Sequence, residues 1–151
     1  MTAATIEQAT HAVTYAHPNK TTVAHARTWL SDYLTRRGYQ GDTADGAVLV
    51  LSELFTNALT HALPPLAITA HLPGDLLTLT VTDRPGKTPA DNEDPYETDE
   101  HGRGLLIIAV LASSLTETTR GDWHTVIATI PLGDPDLPGY LTEPVPHYPT
   151  L

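Results

Sequence analysis

With 151 residues, 40% hydrophobic and 17% charged, the chain is long enough for one domain with a sizeable core and too short for two. Eight Lys and Arg against 18 Asp and Glu give a formal net charge of -10, which argues against a general nucleic-acid binder, whose affinity comes from cations on phosphates. Without cysteine, with no apolar run near the roughly 20 residues that cross a bilayer, and with a start at Met1 to Glu7 unlike a secretion leader, the chain reads as a soluble cytoplasmic protein that rests on apolar packing.

His11 to Ala16 alternates and predicts a first strand, ended by Pro18. From Lys20 to about Arg37, Val23, Ala26, Trp29, Leu30, Tyr33 and Leu34 recur at helical spacing, with Gly38 placed as the stop. Asp42 or Thr43 can cap a second helix that runs until Pro64 and Pro65 forbid continuation. Its pattern is strongly amphipathic: Val48, Leu51, Phe55, Ala58 and Ala62 fall on one side, and Glu53, Asn57 and Thr60 on the other.

Leu66 to Leu72 and Leu76 to Thr82 flank Pro73-Gly74-Asp75 and predict a hairpin whose second strand delivers Asp83 at its end. Residues 84–101 are acidic and poor in apolar side chains, as expected of a mobile loop. Gly102-Arg103-Gly104 then opens onto the apolar run Leu105 to Ala112, which predicts a buried helix. Ser114 to Thr119 and Trp123 to Ile130 predict two last strands, with Trp29 and Trp123 both expected in the core. Five prolines between Gly133 and Leu151 leave a Pro-rich tail without regular structure. The boundaries are thus a domain over 1–132 and a tail over 133–151. The order β-α-α-β-β-loop-α-β-β implies an α+β fold, a two-layer α/β sandwich with helices on one face of a mixed, mostly antiparallel sheet.

Three short motifs carry the chemistry. Glu53 and Asn57 lie one turn apart on a polar helix face, a pairing suited to a Mg²⁺-nucleotide site. Asp83 with Gly86 follows a strand, and Gly102 with Gly104 precedes a helix whose free N–H groups and dipole could receive phosphate. Taken singly, each pattern is common in solvated faces, turns and helix starts. Their order and spacing together are specific. The eight histidines form no His-Glu-x-x-His or similar ligand cluster and read as surface or capping residues.

Leu49 to Ala58 with His61 and Ala62, then Val81 to Gly86, then His101 to Leu105, resemble the N box and the two glycine boxes of the Bergerat-fold (GHKL) ATPases. The likeness covers about residues 11–132 and is nearest to the stand-alone members related to anti-sigma-factor serine/threonine kinases. Lys87, Thr88 and Pro89 follow Gly86 where the fuller family pattern has a second glycine.

The resemblance implies ATP and Mg²⁺ as cofactors, with Glu53 as general base, Asn57 as Mg²⁺ ligand and Asp83 as acceptor for the adenine amino group. It gives Gly86 the role of admitting the base, places Gly102, Arg103, Gly104 and Leu105 at the phosphates, and makes the acidic loop a nucleotide lid. It further implies phosphorylation of a small antagonist protein and partner switching with a sigma factor, without direct nucleic-acid or membrane binding, and is compatible with a homodimer. The rival readings are a nucleotide-gated binding module without useful catalysis and a scaffold that has lost ATP binding.

Overall fold

A computed structural model describes residues 10–86 and 106–133. Helix α1, Lys20–Arg36, is delimited at both ends by local chemistry. Asn19 accepts from the amides of Thr21 and Thr22, while Thr22 Oγ1 accepts from the Asn19 amide, a reciprocal capping box. At the other end Gly38 takes φ 90°, and the amides of Gly38 and Tyr39 donate back to Thr35 and Leu34. That left-handed exit is the stop expected of the glycine.

Helix α2, Asp42–His61, is capped one residue before Asp42 and two before Thr43, the caps expected from the sequence. Gly41 is the N-cap at φ 76° and offers no side-chain acceptor, so Asp42 lies inside the first turn. With Asp45 it places negative charge at the positive end of the helix dipole. The helix passes into strand β2, Ala62–His71, with no intervening loop. Pro64 and Pro65, joined by a cis peptide bond, occupy a stretch where the register with the next strand shifts between Leu63 and Ala67. Their missing N–H groups therefore leave no ladder bond unmade.

Strand β1, Thr10–Tyr15, pairs with β2, and β2 pairs with β3, Leu76–Pro85. Strands β4, Ser114–Arg120, and β5, Trp123–Pro131, form the last hairpin, with β5 inserted between β3 and β4. The sheet order is β1-β2-β3-β5-β4, and every pairing is antiparallel. The α+β sandwich expected from the sequence is the observed architecture, with both strands of the first hairpin longer than their apolar runs alone suggest.

One sheet face is buried under α1 and α2. Leu66, Ile68 and Ala70 of β2, Leu77, Leu79 and Val81 of β3, and Ala128 and Ile130 of β5 meet Leu30, Leu34, Val50, Leu51 and Phe55 of the helices. His11 of β1 stacks on Trp29 and Tyr33 at ring separations of 5.0 and 5.5 Å, fastening α1 to the sheet edge. Tyr15 meets Phe55 edge-on at 5.6 Å.

The opposite face is open and rich in threonine, including Thr69, Thr78, Thr80, Thr116, Thr118 and Thr129. β-Branched side chains suit the pleated backbone without requiring burial. Trp123 belongs to this face, because the even-numbered residues of β5 point to the helices. It is therefore half exposed rather than in the core as its strand pattern suggested.

Residues 106–111 form a helical segment, α3. The sequence predicts a buried helix here, yet only Ile108 is fully buried, with Leu111 and Ala112 packed against the core. Leu106 and Val110 are exposed. The run is apolar all round, and α2 covers one side of it. Leu111 lies over Gly46 of α2, where an added Cβ would sit 3.7 Å from its Cδ2. Among the described residues no helix is long and apolar enough to cross a membrane.

Candidate functional site

At 3.6 residues per turn, Gly46, Glu53 and Asn57 fall within about 40° of one another on α2. Leu111 covers the first of these positions, so the polar stripe looks toward the α3 side of the molecule rather than straight into solvent. Glu53 and Asn57, about 10 and 16 Å further along the helix axis, are half-buried. Along the same helix, Thr56 and Thr60 turn their hydroxyls back to the carbonyls of Ser52 and Thr56. Such back-bonding leaves the carboxylate and the carboxamide as the outward chemistry of the stripe.

Asp83 lies on the helix-facing side of β3, in register with the inward residues Leu77, Leu79 and Val81. It is 3% exposed, a carboxyl group in an otherwise apolar layer. Burial raises its pKa above the ordinary carboxylate value, an effect that the adjacent His124 partly offsets. The junction of α2 with β2 brings this strand end to the C-terminal end of α2: Ala62 pairs with Pro85 and Leu63 with Arg84. Asn57 lies about 7 Å back along the helix from that junction. No hydrogen bond or ion pair among the described residues joins Asp83 to Glu53 or Asn57, and the two motifs share one end of the sandwich through topology alone.

Two residues that the sequence reading passed over complete the surroundings of Asp83. His124 stands directly opposite it on β5, with Nδ1 at 3.1 Å from Asp83 Oδ1 and Nε2 at 2.8 Å from Glu117 Oε1 on β4. The signal was present as alternation. In Trp123 to Ile130, His124 occupies the parity of Val126, Ala128 and Ile130, the face that packs. A histidine at an inward position needs a polar partner, and that requirement distinguishes it from the surface histidines.

Gly86 follows the last residue of β3. A Cβ there would lie 1.9 Å from Leu63 Cγ, so the space beside this glycine is filled by leucine. Gly102, Arg103, Gly104 and Leu105, together with most of the acidic loop and the Pro-rich tail, lie outside the described residues.

Residues 16–130 match the family described as the histidine kinase-like ATPase domain. The chain belongs to that family. Among solved structures, that of the RsbU and RsbW domains of Rv1364c from Mycobacterium tuberculosis is 17% identical with a TM-score of 0.59. The match covers 80% of this chain and 32% of the other, so the chain spans about a third of that structure. The histidine kinase domain of the blue-light activated kinase from Erythrobacter litoralis EL346 is 23% identical, with a TM-score of 0.47 over 78% of this chain and 66% of that one. The Acinetobacter baumannii histidine kinase AdeS is 15% identical, with a TM-score of 0.48 over 82% and 68%. None of the curated proteins matches the chain. The family match and the likeness at TM-score 0.59 establish the ATPase fold for the sheet and helices described above.

Proposed function

We propose that the protein binds Mg-ATP and acts as a regulatory serine/threonine kinase of the anti-sigma-factor type, transferring the γ-phosphoryl group to a hydroxyl of a small antagonist protein. The observation that carries the reading is Asp83: a carboxyl group buried on the helix-facing side of the sheet, at the motif position from which this ATPase family addresses the adenine amino group. Burying such a group without full compensation opposes folding, and an acceptor held for a ligand accounts for its presence.

The donor set fits the nucleotide. Asp83 Oδ1 is engaged by His124, and Oδ2 is given no partner by any described residue. Among the described residues no fully enclosed side-chain nitrogen or oxygen is left unpaired, and in this reading Oδ2 is the oxygen that receives the amine. Asn57 would hold Mg²⁺ through its carboxamide oxygen, the remaining ligands being water and phosphate oxygens. Bound Mg²⁺ supplies charge neutralisation at the phosphates. Glu53, one turn before Asn57, would accept the proton of the attacking hydroxyl. Gly102, Arg103 and Gly104 would receive the phosphates at the start of α3, and the acidic loop would serve as the lid.

The partners in this reading are an antagonist protein that receives the phosphoryl group and a sigma factor that competes with it for the surface. Support comes from the family and from the fold shared with a structure that contains an RsbW domain. A cytoplasmic location follows from the same reading, as does the division into an ATPase domain over 1–132 and a Pro-rich tail over 133–151.

Calorimetric titration with ATP, with and without Mg²⁺, on the parent chain and on Asn57→Ala tests the site. The expected result is Mg²⁺-dependent binding that Asn57→Ala weakens by about tenfold or more, the loss of one ligand to a charged centre. An apo protein indifferent to ATP would remove the proposal.

A further inference from the structure

His124 bridges two carboxyl groups through both ring nitrogens, at 3.1 Å to Asp83 and 2.8 Å to Glu117. A neutral imidazole has one donor and one acceptor nitrogen, so it cannot donate to two carboxylates at once. Two proton arrangements that leave Glu117 as an acceptor satisfy both contacts; with Glu117 as the acid instead, Nδ1–H still donates to Asp83 Oδ1. In one, the ring is an imidazolium and donates to both carboxylates. In the other, Nε2–H donates to Glu117 while Asp83 is the neutral acid, donating from Oδ1 to Nδ1. Both arrangements contain the same number of protons and the same total charge. They differ only in which side of the Nδ1 to Oδ1 contact holds the shared proton.

The consequence falls on the other oxygen of Asp83. In either arrangement the shared proton lies between Nδ1 and Oδ1, and Oδ2 remains an acceptor. We infer that His124 is a specificity-determining residue: by confining the proton to Oδ1 it keeps Asp83 Oδ2 an acceptor, so that the site takes a 6-amino purine nucleotide and rejects a 6-oxo one. The inference rests on the reading of Asp83 as the acceptor for the base.

Without His124 the chemistry of Asp83 changes. Burial favours its neutral acid, and an acid with no partner at Oδ1 can carry its proton on Oδ2. It would then present a donor to the oxo group of guanine. Glu117 acts at one remove. Its side chain is 68% exposed while that of His124 is 24% exposed, so Glu117 orients the ring from the rim and its removal leaves the Asp83 contact standing.

The test compares ATP and GTP binding by calorimetry, in the presence of Mg²⁺, for the parent, His124→Ala, His124→Asn and Glu117→Gln. An asparagine carries its amide nitrogen near the position of Nδ1 and can donate to Oδ1, whereas alanine offers nothing. Parent and His124→Asn are expected to prefer ATP, and Glu117→Gln to keep that preference. In His124→Ala the ATP-to-GTP affinity ratio should fall by about tenfold or more, the scale of one buried hydrogen bond reversed. A merely structural histidine would weaken both nucleotides alike and leave the ratio where it was. If the parent prefers ATP and His124→Ala keeps the same ratio, the inference is overturned while the site stands. If the parent binds neither nucleotide, the reading of Asp83 fails and takes the inference with it.

Discussion

Gly86→Ala separates a packing requirement from a ligand requirement at the first glycine motif. The new Cβ would lie 1.9 Å from Leu63 Cγ, 2.3 Å from its Cδ1 and 3.0 Å from its Cβ. To reach even the tight limit of 3.4 Å, leucine or strand end must move by about 1.5 Å. Strand β3 is pinned here, since Pro85 pairs with Ala62 and Arg84 with Leu63, and overpacking of this kind costs about 1–3 kcal/mol. Leu63 is 46% exposed, so Leu63→Ala by itself should cost only about 1 kcal/mol. It also removes Cγ and Cδ1. In that background Gly86→Ala should therefore cost less than about 1 kcal/mol, giving a favourable coupling of about 1–2 kcal/mol in the double-mutant cycle. Urea unfolding of the four proteins measures it. Equal cost of Gly86→Ala in both backgrounds, or no cost in the parent, would refute the packing argument. A variant of unchanged stability that loses ATP would return Gly86 to the base-binding role that the resemblance implies.

Two further outcomes follow from the same geometry. Gly46→Ala should stabilise the protein by about 0.5–1 kcal/mol, because glycine inside a helix is unfavourable and the added methyl would meet Leu111 at ordinary contact, 3.7 and 3.8 Å. A drop in the urea midpoint would show that α3 packs closer to α2 than described. For Asp83, the folded-state pKa is raised above the ordinary 3.8 by burial. Its contribution to stability is accordingly full below about pH 3.8 and is lost as pH rises through the raised value. Asp83→Asn removes that loss, so the variant should gain stability relative to the parent across that window and hold the gain to neutral pH while losing affinity for ATP. Parallel urea midpoints for the two proteins from about pH 3 to about pH 7 would contradict this.

Within single elements, the sequence alone determined most of this protein. The helical spacing of Ala26, Leu30, Tyr33 and Leu34, the stop at Gly38 and the Pro73-Gly74-Asp75 turn are legible because side-chain period and backbone preference act over a few residues. For the same reason Glu53 and Asn57 could be placed on one face of α2 without coordinates. Tertiary structure decided whatever depends on partners far along the chain. Insertion of β5 between β3 and β4 places His124 opposite Asp83, 41 residues away. It also sends Trp123 to the open face, and no periodicity encodes which strand becomes the neighbour. The α2–β2 junction sets Leu63 against Gly86, although the glycine alone reads as room for a ligand. Apolar α3 leaves Leu106 and Val110 exposed, because burial depends on what packs against a surface as well as on its composition. Local physics drew the elements and the three motifs. Strand order and register, fixed by the mutual burial of distant apolar faces, gave Asp83 its histidine.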